Sequence, residues 1–469
     1  MNENTDAPHT GDTPAESGTP RVARRLSQAI RIPTISVRGE ETGQAPAFGR
    51  MRDFITHEWA EAAKVLDVEV HAGSLLMTWK GSDPALVDTP ALFMAHQDVV
   101  GITGIDPATA SETSTSPSWS VPPFAGEIRD GAVWGRGALD DKGSLCALME
   151  AVDRLAAAGH TPRRTLMLAL GCDEEQVGAS AQAVVEVLGE RGIRPWMILD
   201  EGGAVVDAPL PGLTGRAAVV GVSEKGTVDL RLHVEDAGGH ASTPPRRGAT
   251  WRLARAITRI ERKPFPAHLT EPVVAMLEQA APRATGPLAK IYANARSARA
   301  VLARILAAGG AESAAMVHTT VAVTELTGSA GLNVLATSAT AGLNVRVAVG
   351  ESVKSMLARL HKIIDDPRVR IEVIAHNEPA PVSPAEGPQW EMLRAALGVS
   401  HPDALLLPYI QLSASDSRHF TSLSSHVYRF TPFDMSAEER GTIHGNDERI
   451  RVTSLVDGVD FYESLMKGL

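Results

Sequence analysis

The sequence predicts an α/β fold: a larger domain built on a helix-flanked, mostly parallel sheet, with a smaller α+β domain inserted into it. Three observations carry that prediction. Short apolar runs at 89–95, 165–172 and 195–199 read as buried strands. Stretches of helical spacing separate them, giving a β–α–β–α–β rhythm. Each run ends in acids or a histidine: His96-Gln97-Asp98, Asp173-Glu174-Glu175 and Asp200-Glu201. In open α/β sheets, ligands bind beyond the carboxyl ends of the strands.

The elements follow in order. Residues 1–20 are rich in Asn, Thr, Asp, Gly and Pro and lack an apolar segment, so a disordered tail is expected rather than a secretory signal. Helical spacing over 21–32 stops at Pro33, and a second helix over 47–66 precedes strands near 68–71 and 75–80. Between 143 and 157, Leu145, Leu148, Met149, Val152 and Leu155 recur at three- and four-residue intervals, which predicts a helix. A helix over 179–188 links the strands at 165–172 and 196–199. Near Gly215 the pattern changes. Residues 219–222 and 227–234 alternate like strands with one wet face, followed by helices over 250–260 and 287–308. Strands over 317–326, 339–349 and 369–374 enclose a helix over 352–364. Four prolines within 377–388 mark a return linker. The expected division is a tail at 1–20, a larger domain from 21–216 and 382–469, and an inserted domain at 217–381.

Composition narrows the function. A formal charge of −11 over 469 residues argues against a nucleic-acid partner, which needs clustered positive charge. No run approaches the roughly eighteen apolar residues of a membrane span, so no membrane partner is expected. Two cysteines, Cys146 and Cys172, form no disulfide framework and read as small buried side chains. These absences together predict a cytoplasmic location.

The chemistry lies in the polar clusters. His96 and Asp98 have the spacing of a metal ligand and the carboxylate that orients it, because a metal-bound imidazole usually donates its other N–H to an oxygen. Asp140 follows the turn Gly135-Arg136-Gly137 and opens a helix, where Asp140 or Asp141 also suits an N-cap. A carboxylate there has two oxygens with which to bridge two cations. Glu174 and Glu175 leave a strand in different directions, so one can bind metal while the other faces substrate. That division suits hydrolysis by metal-activated water with a carboxylate base. Asp200 or Glu201 offers a further ligand, and His444 in Ile443-His444-Gly445 another. Mixed histidine and carboxylate ligands favour two zinc ions, with cobalt or manganese as substitutes.

The segments "WSVPPFAGEIRDGAVWGRGALDDKG", "CDEEQVGAS", "ILDEGG" and "IHGNDERI" together resemble the dinuclear-zinc exopeptidase and deacylase family. That family includes aminoacylase, carboxypeptidase G, carboxypeptidase S, acetylornithine deacetylase and succinyl-diaminopimelate desuccinylase. The resemblance spans nearly the whole chain after the tail. "SDSRHF", "VYRFTPF" and "IHGNDERI" look most like the carboxypeptidase S and N-acyl amino acid hydrolase branch. It implies Asp140 as bridging ligand, His96 and Glu201 on one metal, and Glu175 and His444 on the other, with Asp200 the alternative to Glu201. It implies Asp98 as the orienter of His96 and Glu174 as general base. The inserted domain would be a lid through which a homodimer forms. His240 in "GGHASTPP" would polarise the scissile carbonyl, in its own subunit's site or its partner's. Asn333, Arg346 and Arg418 would hold the substrate's carboxylate end, a role that suits a planar guanidinium. The implied reaction is cleavage of the amide bond of N-acyl amino acids or of C-terminal residues of small peptides. Dipeptidase or amino-acid deacetylase activity is the alternative within the family, and a non-catalytic metal-binding dimer the alternative outside it. Departures from the family pattern, Ala336 where many members have Pro and "LSASDSR" in place of Gly-Gly-Thr-Asp, bear on specificity rather than on the metal ligands.

Overall fold

A computed structural model describes residues 18–39, 42–176 and 178–469. Of the expected tail, residues 1–17 lie outside the described residues. An eight-stranded sheet runs Asp67–His71, Ser74–Trp79, Leu166–Gly171, Ala91–His96, Met197–Asp207, Val427–Asp434, Arg216–Glu224, Leu405–Gln411. Its centre is parallel: Ala91–His96 pairs in parallel with both Leu166–Gly171 and Met197–Asp207, and Val427–Asp434 pairs in parallel with Met197–Asp207. The α/β expectation holds.

Alternation explains why these apolar runs are buried on both faces. Ala91, Phe93, Ala95, Leu166, Leu168 and Leu170 point into one core with the helices Lys142–Ala157, Val452–Lys467 and Pro388–Ser400. Their neighbours Leu92, Met94, Met167 and Ala169 point into a second core with Ala179–Glu190. Period-two side chains with helices on both sides leave no polar position until the strands end. No helix among the described residues is long and apolar enough to cross a membrane.

A second sheet has the order Thr320–Thr327, Ser338–Val347, Gly226–Glu235, Arg370–Asn377, all antiparallel. In Gly226–Glu235 buried and part-exposed residues alternate strictly, and the helices Ala249–Arg262 and Val353–Ile364 cover the buried face. The chain's first entry into this unit lies against its final exit. A Cβ on Gly226 would lie 2.6 Å from the Asn377 carbonyl oxygen and 2.8 Å from Pro379 Cδ, a close approach that only glycine allows.

Two expectations need correction. Arg216–Glu224 belongs to the larger sheet, so the boundary at 216/217 falls too early. The Ala217–Val222 run is buried without alternation, the mark of a doubly covered strand rather than of one with a wet face. The helices within 271–317 pack on the larger sheet too, sharing a core with Ala217, Leu407 and Ile410. The single helix expected over 287–308 is two, Pro287–Tyr292 and Arg299–Ala308.

Buried charge ties the N-terminal helix Arg21–Ile30 to Lys142–Ala157. Glu150 accepts hydrogen bonds from Arg21 Nε at 3.0 Å, Trp59 Nε1 at 3.2 Å and Arg25 Nη1. Asp153, one turn on, accepts from the backbone N–H groups of Glu61 and Ala62 at 2.8 and 3.0 Å. Breaking one side of a buried pair strands the other charge. Glu150→Ala is therefore expected to lower unfolding free energy by about 3–5 kcal/mol, read as a reduced denaturation midpoint; an unchanged midpoint would refute this coupling.

Candidate active site

The clusters predicted at strand ends converge. His96 closes the strand Ala91–His96, and its Nε2 lies 2.9 Å from Asp140 Oδ1. On the other side of the ring, Nδ1 lies 3.0 Å from the Asp98 carbonyl and 3.3 Å from Asp98 Oδ1. Asp140 Oδ2 meets His444 Nε2 at 3.0 Å, and the same nitrogen lies 3.0 Å from Glu175 Oε1. Ligand-type atoms of His96, Asp140 and Glu201 lie within 4.8 Å of one another, as do those of Asp140, Glu175 and His444. Asp140 is common to both groups.

Asp200 and Glu201, left as alternatives by the sequence, diverge. Asp200 Oδ2 accepts the backbone N–H of Ser417 at 2.8 Å, while Glu201 faces Asp140. Asp141 occupies the N-cap position of its helix without making a capping hydrogen bond, and instead accepts the His96 backbone N–H at 3.3 Å. Asp98 also fixes the turn carrying both glutamates, since its two oxygens accept the N–H groups of Glu174 and Glu175 at 3.2 Å each.

Electrostatics suit a cation. Burial, reinforced by the charge of Asp140, pushes the Glu201 carboxyl well up. Burial, with the charges of Asp416 and Glu175 behind it, does the same to Glu174. Burial also raises Glu175, partly opposed by His444. Burial alone would raise Asp140, but hydrogen bonds with His444 and His96 hold it below the usual carboxylate range. Hydrogen bonds to Asp140 and Glu175 raise His444 to about 10. Acids this close repel one another unless positive charge lies between them, and metal ions supply that charge. The donor set of imidazole and carboxylate groups fits zinc or a similar divalent ion. His444 also has φ 57°, a left-handed conformation uncommon outside glycine and frequent at functional sites.

Two residues that the sequence reading overlooked hold Asp140 in place. Glu448, fully buried, accepts from the backbone N–H groups of Gly137 at 3.1 Å, Leu139 at 2.9 Å and Asp140 at 3.2 Å. Arg136 Nη1 donates to Glu448 at 2.6 Å, and its Nη2 donates to the Gly445 carbonyl at 2.8 Å, so one bracket grips both the Asp140 turn and the His444 turn. Gly137 has φ 89°, and a Cβ there would lie 2.8 Å from Val99 Cγ1. Glu448 was legible as the acid four residues beyond His444 in "IHGNDERI", but a charge on a surface-like stretch gives no hint of burial. Asp416, buried next to Gly171 and raised to about 8 by its burial, was also overlooked.

The predicted substrate residues separate into two groups. Arg418 Nη1 lies 3.9 Å from Glu174 Oε1. Arg346 donates from Nε to Asn344 Oδ1 at 3.1 Å; burial lowers its pKa, and it feels the charges of Asp229, Glu224, Arg418 and Glu174. Both arginines therefore stand on the Glu174 side of the site. His240 and Asn333 are not brought to the ligand groups. They are exposed and adjacent to each other, with the Ala241 N–H donating to the Asn333 carbonyl at 3.1 Å and the His240 ring hydrogen-bonded to Ser242 at 2.8 Å.

The sequence matches the family described as Peptidase family M20/M25/M40 over residues 92–468. It is 33% identical over 455 residues to the human N-fatty-acyl-amino acid synthase/hydrolase PM20D1, covering 95% of this chain and 88% of that protein. It is 27% identical to carboxypeptidase S of Saccharomyces cerevisiae, over 94% of this chain and 83% of that one. Among solved structures, an M20 family metallo-carboxypeptidase from Sulfolobus solfataricus superposes with a TM-score of 0.68 at 14% identity, covering 96% of this chain and 99% of the other. Human carnosine dipeptidase 1 superposes with a TM-score of 0.62 at 16% identity, over 96% of each chain.

The bracing of Asp140 from behind has a measurable consequence. Removing a group that orients ligands typically weakens metal binding about 10–100-fold. Glu448→Ala is expected to weaken divalent-metal affinity by about that factor in calorimetric titration, with helix content retained; wild-type affinity would remove Glu448 from the site.

Proposed function

The chain belongs to peptidase family M20/M25/M40 and is a metal-dependent hydrolase of amide bonds, and on that premise we propose that it cleaves N-acyl amino acids or the C-terminal residue of short peptides. The observation that carries this reading is the position of Arg418, 3.9 Å from Glu174 and 12% exposed. A cation fixed next to the reacting centre selects a substrate with a free carboxylate near the scissile bond, which is an exopeptidase or deacylase requirement. Guanidinium is suited to gripping that carboxylate through two parallel hydrogen bonds.

We assign His96, Asp140 and Glu201 to one zinc and Asp140, Glu175 and His444 to the other. Zinc ions held by these residues would supply Lewis acidity, lowering the pKa of water toward about 7 and polarising the substrate carbonyl. Glu174 then takes the proton of the attacking water and passes it to the leaving nitrogen. Its two neighbours keep it available: the Asp98 carboxylate holds its backbone, and Arg418 stands on its carboxylate side. Asp98 fixes the His96 ring so that Nε2 faces Asp140. Arg346 joins Arg418 in holding the substrate's carboxylate.

His240 belongs in this reading as the donor to the carbonyl oxygen at the transition state. Its exposure, and that of Asn333, supports action either after the smaller unit closes or across a homodimer formed through it. An oxyanion donor of this kind is typically worth about 10²–10³ in rate.

Glu174→Gln is expected to retain both metals by elemental analysis and lose about 10²–10⁴ in kcat on an N-acyl amino acid panel; near-normal turnover would remove Glu174 as base. His240→Ala is expected to lower kcat about 10²–10³-fold with metal content unchanged. Mixing it with Glu174→Gln subunits separates the two geometries, since activity reappears only if His240 serves the partner's site. Failure of the zinc-loaded protein to hydrolyse any N-acyl amino acid or dipeptide would overturn the proposed substrate class.

A further inference from the structure

The chain carries −11 overall, yet between residues 246 and 263 it holds seven basic residues against one acid, Glu261, a net of +6. Such asymmetry points to an anionic partner for one face. The segment is the helix Ala249–Arg262 of the smaller unit and the turn before it. At about 100° per residue, Trp251, Arg255 and Arg262 fall within about 40° of one another on the helix wheel. Leu253, Ala256 and Ile260 lie on the opposite side and are buried in the core beneath the sheet. The basic stripe therefore faces outward on a helix already anchored by its apolar face.

Two of the arginines are internally neutralised: Arg252 by Asp366 at 2.7 Å and Arg259 by Asp365 at 3.7 Å. Arg246, Arg247, Arg255, Arg262 and Lys263 make no ion pair among the described residues. Arg246, Arg247 and Arg255 surround Trp251 in a shallow depression. Trp251 is 67% exposed, large for an indole with nothing to cover it.

We propose that this face docks on an anionic phospholipid surface, its free arginines on the phosphate headgroups and Trp251 at headgroup depth. Charge complementarity selects an anionic partner, and the exposed indole among the arginines selects a lipid interface over a purely polar polyanion. Tryptophan favours that depth because its ring is apolar and its N–H polar. Docking of this kind needs no membrane-spanning segment, so it is compatible with the lack of a long apolar helix among the described residues and departs only from the expectation of no membrane partner.

The test is co-sedimentation of the full chain with vesicles of phosphatidylcholine alone or mixed with phosphatidylglycerol, at low and high salt. Each basic side chain near such a surface contributes about fivefold in partitioning. Binding to the mixed vesicles alone is expected, weakened by salt, and reduced about 100-fold in Arg246→Gln/Arg247→Gln/Arg255→Gln. The corresponding triple lysine variant should retain it, and Trp251→Ala should weaken it at every salt concentration. Turnover of a water-soluble substrate should be unchanged in all variants. No binding, equal binding to neutral vesicles, undiminished binding by the glutamine variant, or binding to an oligonucleotide but not to vesicles would each overturn the proposal.

Discussion

The site depends on one constraint: carboxylates concentrated where parallel strands end cannot all be charged without positive charge among them. Asp140 is where that constraint is met, touching His96 with one oxygen and His444 with the other. Everything around it restricts its freedom. Glu448 fixes its backbone, Arg136 joins that bracket to the turn bearing His444, and Asp98 holds the glutamate turn opposite. A rigid frame of this kind suits metal chemistry, in which ligands must be placed before the ion arrives.

The same frame shows why burial and reactivity coincide. The sheet is covered by helices on both faces, so Ala91–His96 and Leu166–Gly171 carry nothing polar until they terminate, and Met197–Asp207 nothing polar before Asp200. Polar residues are then released together, from several strands, into one low-dielectric cleft. Arg418 and Arg346 bring positive charge to the side where Glu174 stands, and the two histidines bring it to the side of Asp140.

Much of this was legible in the sequence, because period and punctuation are local signals. Apolar runs ending before His96 and Glu174 announced strand ends, and the order of strands and helices announced a parallel sheet; the run before Glu201 did not end its strand, which continues to Asp207. Long-range consequences were not legible. The divergence of Glu201 from Asp200 turns on which side chain meets Ser417, a contact made across more than two hundred positions of chain. Glu448 looked like an ordinary surface acid because burial is a property of packing. The strand Arg216–Glu224 was misplaced for a different reason. Its unbroken apolar run was the correct signal, but the change in rhythm just before it invited a boundary there. The meeting of His240 with Asn333 was beyond reach too, since it follows from the pairing of Gly239–His240 with Val334–Leu335 across some ninety positions of chain.

The touching of Gly226 with Asn377 and Pro379 has an evolutionary consequence. Everything between those residues departs from the larger sheet and finally returns to it at one place. Material added within that stretch of chain need not disturb the strand ends where the ligands lie, and even as flexible chain each doubling of its length would cost only about 0.6 kcal/mol. The helices from Glu271–Ala280 to Ala311–Val317 lie inside that stretch and fold back against Leu407 and Ile410. A family built this way can change the size of what it admits while inheriting the catalytic frame unchanged.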